Sequence, residues 1–479
     1  MINLRNEVET HLKNLCNGLA DSVHALEKDA AEELQRLKGD GGELAELGKL
    51  LKRNETMLMQ QLEESKTGAG NGGTSTLQAG HVEFGMALAA IESMHPELAR
   101  MLGMPSASLT QTHMDSAMAG IAGGIVLSDG TIVGTATYEE LDTGWAYAPL
   151  NYMRYLIEPS KMAKFRTGNV VVPAPSTARV SVYGDWGTGY FADGNLQSPA
   201  QMVMEQLLKQ NADYNVHLGD VYYSGTGPSG WPAGEESANF IQLIAGSKLK
   251  NNVTLNSNHE MYDGANGYFQ ALDSGAFAAQ GGIGYFAIES DHWIMVGLDS
   301  AYDATRKNTG SLLYMDGSIR EPAQLEFLAK CAAKKKPLIL FCHHPCVSLD
   351  GKTATKLWDE VTAALGRVPE FWYFGHTHTG VAYSSQSFPG QRGCVARCLG
   401  HAAIPYGKAS SLFQNKGQVP EVDWVAHEPL SQAFPNTTPA QSKRVLNGFA
   451  CLDLSPTGLT ETVYTQTGSV VFQKSFPFA

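Results

Sequence analysis

A chain of 479 residues is long enough to bury a large core and to hold more than one domain. Its 35 basic against 48 acidic residues, a net charge of −13, exclude nucleic acid as a bulk partner, because phosphate backbones are held by basic surfaces. Seven cysteines, an odd number with no CxxC pair, read as reduced thiols, which favours the cytoplasm. No basic segment followed by an apolar core opens the chain, and no apolar run reaches about 18 residues, so neither export nor a membrane span is expected.

Residues 1–65 read as a helical arm. Leu4, Val8, Leu12, Leu15, Leu19, Val23, Leu26, Ala30, Leu34 and Leu37 recur in steps of 4, 4 and 3, an eleven-residue period that keeps one apolar stripe on a nearly straight helix. Gly39 to Gly42 breaks it, and Leu44, Leu47, Leu51, Leu58 and Leu62 mark a second helix. The arm either packs on its own chain or joins a homo-oligomer through residues 2–65; periodicity does not name the partner. Residues 66–76 have the composition of a flexible linker, and 77–177 read as a small α+β region with an Asp129-Gly130 hairpin turn.

From 178 to the C-terminus the pattern changes. Five short apolar runs each end in Gly or Asn followed by an acid or histidine: VSVYGDWG, YNVHLGDVYY, VTLNSNHE, PLILFCHHP and FWYFGHTH. Each reads as a buried strand releasing a metal-capable side chain at its carboxyl end, where open α/β sheets bind ligands. The candidates are Asp185, Asp220, Tyr223, Asn258, His259, His343, His376 and His378. The bland reading wins for His217, inside an apolar strand, and for His292, on a hairpin. Cys394 and Cys398 lack partners at zinc spacing and read as structural.

Taken together, GDWG, GDVYY, SNHE, HHP and GHTH resemble the motifs of the calcineurin-like metallophosphoesterases, and within them most closely those of the purple acid phosphatases. The resemblance implies an α/β (α+β) catalytic domain over 178–479, a β-sandwich of two mixed sheets flanked by helices. It implies that Asp185, Asp220, Tyr223 and His378 hold one metal, and that Asp220 bridges to a second held by Asn258, His343 and His376. Two carboxylates and a phenolate suit Fe(III), whereas two imidazoles and an amide oxygen suit Zn(II), Mn(II) or Fe(II). Three anionic ligands then leave about +2 on the pair, a positive point for phosphate in an acidic protein. Two departures stand out: Gly187 occupies the place of a histidine common in the wider superfamily, and Ser257 replaces a glycine.

The activity so implied is hydrolysis of a small phosphomonoester by direct attack of a metal-activated hydroxide, with His259 as the candidate acid or transition-state stabiliser. A phosphodiesterase acting on cyclic nucleotides or lipid headgroups with the same metals is the alternative. A different class is an assembly or signalling protein whose arm is functional and whose phosphatase domain is vestigial.

Overall fold

A computed structural model describes residues 159–478 apart from 193, 195, 305–315, 405–411, 413–418 and 439–440, with short pieces between 125 and 155. The expected arm and linker lie outside the described residues. The chain divides into two compact units, Met1–Met162 with Gly310–Tyr314, and Ala163–Thr309 with Met315–Ala479. In the first, Ile125–Val126 pairs antiparallel with Ile132–Val133, the two arms that a turn at Asp129-Gly130 would join.

The second unit is a sandwich of two mixed sheets, and it takes in β1 (Val171–Pro173), ahead of the boundary at 178. One sheet has six strands. Its parallel half is β2 (Ala178–Tyr183), β3 (Tyr214–His217) and β4 (Asn252–Thr254), in that order, with β4 at the edge. The other has eight strands and contains β1, β5 (Phe286–Glu289), β6 (Ile294–Gly297), β7 (Leu338–Phe341) and β8 (Phe371–Phe374), with β7 and β8 parallel neighbours. It continues through β10 (Val395–Leu399) and β9 (Gly380–Tyr383) to β11 (Val422–Val425). Three long strands, β12 (Gly448–Ser455), β13 (Gly458–Thr465) and β14 (Val470–Pro477), complete the six-stranded sheet antiparallel to one another, as the alternation in the final segment implies.

Successive side chains on a strand face opposite ways, and that alternation divides the core in two. Ile339 and Phe341 of β7 and Phe371 and Tyr373 of β8 face Val180, Val182 and Val216 of the other sheet. Leu338, Leu340, Trp372 and Phe374 face the other way, packing with Phe327 and Leu328 of α4 (Pro322–Ala332) and Trp358 and Val361 of α5 (Lys356–Leu365). Three further helices lie nearer the strand ends: α1 (Pro199–Gln210), capped by Ser198, α2 (Asn258–Tyr262), capped by Ser257, and α3 (Asn266–Asp273).

The two sheets meet where the parallel strands β2, β3, β7 and β8 end. Gly184 N–H donates to the Leu399 carbonyl, Asp185 N–H to Gly219, and Gly375 N–H to His343. The ends of five strands from two sheets are thereby brought to one edge. Among the described residues, no helix is long and apolar enough to cross a membrane.

Candidate metal centre

Asp185 follows β2 by two residues, Asp220 follows β3 by three, and Asn258 opens α2 after β4. His343 follows β7, and His376 and His378 follow β8. Four of these residues sit in the left-handed backbone region, Asp185 (φ 56), Asp220 (φ 75), His376 (φ 72) and His378 (φ 48). Such conformations are costly for side-chain-bearing residues and persist where surrounding structure imposes them. Glycines supply the close packing: a Cβ at Gly375 or at Gly400 would stand 2.5 Å from Asp185 Oδ2.

The donors fall into two groups that share Asp220. In one, His343 Nε2 lies 2.9 Å from Asn258 Oδ1, 3.1 Å from His376 Nδ1 and 3.2 Å from Asp220 Oδ1, and His376 Nδ1 lies 2.9 Å from Asn258 Oδ1. In the other, His378 Nε2 lies 3.3 Å from both Asp185 Oδ1 and Asp220 Oδ2. The Tyr222 hydroxyl is 3.1 Å from His378 Nε2, 3.2 Å from Asp220 Oδ2 and 3.4 Å from Asp185 Oδ1.

The Tyr222 phenol, one position before the Tyr223 expected from the motif, thus lies at this cluster. The Tyr223 carbonyl accepts from His259 Nδ1 at 2.6 Å. Asn239 Nδ2 donates to the Tyr222 carbonyl at 2.7 Å, and Glu235 Oε2 accepts from Ser224 N–H at 2.8 Å, so the segment is held from several sides. The tandem Tyr222-Tyr223 was the only signal in the sequence for this alternative.

The same packing explains Gly187. It forms an isolated bridge with Val221, and a Cβ there would overlap the Val221 backbone and stand 2.7 Å from the Asp220 carbonyl oxygen. No side chain fits at this position without displacing the Asp220-Val221 backbone.

The donor set fits bound metal cations. His343 Nδ1 donates to the Leu218 carbonyl at 2.9 Å, so Nε2 presents its lone pair to an amide oxygen and a carboxylate. Asn258 Nδ2 donates to Tyr262, which turns Oδ1 toward the imidazoles. Asp220 Oδ1 is buried with no hydrogen-bond donor. Acceptors so gathered repel one another unless positive charge lies between them, and atoms sharing one ion at about 2.0–2.2 Å stand about 3 to 3.5 Å apart. Without such charge the carboxylates cannot both ionise: burial, then Asp220, pushes the Asp185 carboxyl well above its usual range. Asp220, against the opposing effect of burial, is held well below it by the imidazoles of His343 and His259.

His259 stands at the edge of this group, 7% exposed, with Nε2 3.9 Å from Asp220 Oδ2. Asp220, His259 and His378 bring ligand atoms within 4.8 Å of one another. Burial lowers the His259 imidazole to about 4, against the raising effect of Asp220. His344 is fully buried beneath the site, its ring 4.7 Å from that of His376 and its Nδ1 2.9 Å from Ser300 Oγ. His217 lies among Tyr183, Trp186 and Phe240, and His292 is exposed, the bland roles expected of them. The described cysteines, among them Cys394 and Cys398, are buried and free.

Residues 178–380 match the model of the calcineurin-like phosphoesterase family. No curated protein sequence matches the chain. Among solved structures, PhoD is similar at 12% identity and a TM-score of 0.38, over 64% of this chain and 73% of that one. A conserved protein of Streptococcus pneumoniae, itself termed a predicted phosphoesterase, is similar at 8% identity and a TM-score of 0.25, over 64% of this chain and 100% of that one.

Proposed function

We propose that this chain, which carries a calcineurin-like phosphoesterase domain over residues 178–380, is a hydrolase of small phosphomonoesters of the purple acid phosphatase type, working at a two-cation centre. The observation that carries the reading is the division of donors around Asp220, whose Oδ1 faces His343 and whose Oδ2 faces Tyr222 and His378. Asp185, Asp220, Tyr222 and His378 would hold one ion, and Asp220, Asn258, His343 and His376 the other. The phenol and two carboxylates favour Fe(III) in the first position, and the imidazole and amide donors favour Zn(II), Mn(II) or Fe(II) in the second. Bound there, the ions would supply Lewis acidity and a water of lowered pKa.

The chain's own groups do the rest. Asp185 Oδ2 accepts the His376 N–H at 3.0 Å, which locks the loop after β8 to the loop after β2 and fixes the spacing of the two donor groups. His259 commits its Nδ1–H to the Tyr223 carbonyl, so the neutral ring turns the Nε2 lone pair to the centre, and only the imidazolium, protonated at Nε2, can hand a proton to a leaving oxygen. Buried, free cysteines support a reducing compartment, the cytoplasm.

The deciding experiment is metal analysis with a visible spectrum. A phenolate to Fe(III) charge-transfer band is expected in the wild type and in Tyr223→Phe, and its loss in Tyr222→Phe. Turnover of an aryl phosphomonoester should exceed that of a bis-aryl diester. A colourless, fully active protein containing only divalent ions would reject Fe(III), and a preference for the diester would reject the monoesterase.

A further inference from the structure

Beside the segment that presents Tyr222 lies a second group of carboxylates that the phosphoesterase reading does not use. Glu235, Glu236, Glu260 and Asp263 are 7, 0, 1 and 0% exposed. Glu236 opens the helical turn Ser237–Ile241, Glu260 lies within α2, and Asp263 closes it. Their proximity is legible at Gly225, where a Cβ would stand 2.6 Å from Glu260 Cγ and 3.0 Å from Glu236 Oε2. Gly267, whose Cβ would stand 2.9 Å from Glu236 Cβ, closes the group from α3.

Three of the four have polar partners. Glu235 accepts from Ser224 N–H and Asp263 from Gly227 N–H, each at 2.8 Å, and Glu260 accepts from Ser257 Oγ. Glu236 differs: both its oxygens are buried and neither has a hydrogen-bond partner. The charges that bear on it are those of Glu260, Asp263 and Glu235, all of its own sign. Burial and these neighbours push Glu236 well above the usual carboxyl range, and burial above all takes Glu235 to about 7 and Glu260 to about 8.

A proton alone does not resolve Glu236. A carboxylic acid there would add an O–H without an acceptor to an oxygen without a donor, and buried groups left so are costly. A cation would engage both oxygens and offset the repulsion together.

We propose that Glu236, Glu260 and Asp263 bind a hard divalent cation of the calcium class, at a site separate from the two-cation centre. The donors are all oxygen, which disfavours the softer ions suited to the histidines of that centre. The group is also closed to solvent: Glu236, Glu260 and Asp263 are 0, 1 and 0% exposed. That burial disfavours magnesium, which keeps several of its waters at about 2.0–2.1 Å, against calcium, whose more flexible shell takes protein oxygens at about 2.3–2.6 Å. An ion there would tie α2, which carries Asn258 and His259, to the segment 224–236.

The test uses the full chain already loaded with its transition metals. Equilibrium dialysis against calcium chloride should show about one calcium bound per chain, with a rise in Tm that equimolar magnesium does not match. Glu236→Gln, the same size and uncharged, should fold, lose that calcium and lose the Tm rise. Asp263→Asn should weaken uptake at least tenfold, and His376→Ala should leave it in place. No calcium uptake by the wild type, or undiminished uptake in Glu236→Gln, would overturn the proposal. So would a magnesium response equal to that of calcium.

Discussion

Replacing Gly187 by Ala tests whether the approach of two backbones sets the geometry of the centre. Gly187 N–H donates to the Asp220 carbonyl at 3.1 Å, and its own carbonyl accepts from Tyr222 N–H at 3.0 Å. The added methyl would overlap the Val221 backbone and stand 2.9 Å from Val221 Cβ. Ordinary carbon contacts lie at about 3.5–4.0 Å, so the Asp220-Val221-Tyr222 segment must retreat by about 1 Å. The obstacle is backbone, which no rotamer change relieves. Overpacking of this kind costs about 1–3 kcal/mol of stability. A displacement of about 1 Å at reacting groups lowers turnover about 100-fold, or about 2.7 kcal/mol of barrier. Urea denaturation, metal content per chain and kcat/KM on an aryl phosphomonoester would measure the three effects. Gly187→His should fall at least as far, since the imidazole has no room to act as a ligand. Wild-type kcat/KM and metal content in Gly187→Ala would refute the reasoning, and a gain of metal affinity in Gly187→His would do so more sharply.

Two further outcomes follow from the packing around the site. Ser257 caps α2, its hydroxyl accepting from His259 N–H at 3.0 Å and donating to Glu260, so Ser257→Ala should cost about 1 kcal/mol and lower Tm by about 2–4 °C. A calorimetric scan showing no shift would mean that the cap contributes nothing to this short helix. Arg397 of β10 and Glu461 of β13 form an ion pair at 2.7 Å between the two sheets, 1 and 0% exposed. Glu461→Gln should cost about 3–5 kcal/mol by stranding the guanidinium, while the double replacement Arg397→Met with Glu461→Leu should recover most of it. Equal denaturation midpoints for the single and double variants would contradict that account.

Local chemistry made much of the molecule legible. An apolar run followed by Gly and an acid is readable because strand, stop and exposed side chain are properties of a few neighbouring residues, as in Tyr214 to Asp220. The closing strands β12 to β14 were readable for the same reason, since alternation and turn residues are local signals. Other features had no local signal. Glu235, Glu236, Glu260 and Asp263 look like ordinary surface acids until the segment 224–236 folds over α2.

What the sequence by itself determined was an α/β or α+β chain and which metal-capable side chains stand at its strand ends; the mixed sandwich beneath them was an expectation carried by the family resemblance. Which of two adjacent tyrosines turns its hydroxyl to Asp185 and His378 was decided only in three dimensions. Beyond β3 the chain is no longer a strand, so alternation loses its force. Asp220 takes a left-handed φ of 75°, Gly187 presses on Val221, and Asn239 and His259 hold the carbonyls of Tyr222 and Tyr223. Those restraints come from residues 17 to 36 positions away, and a motif of five letters cannot carry them.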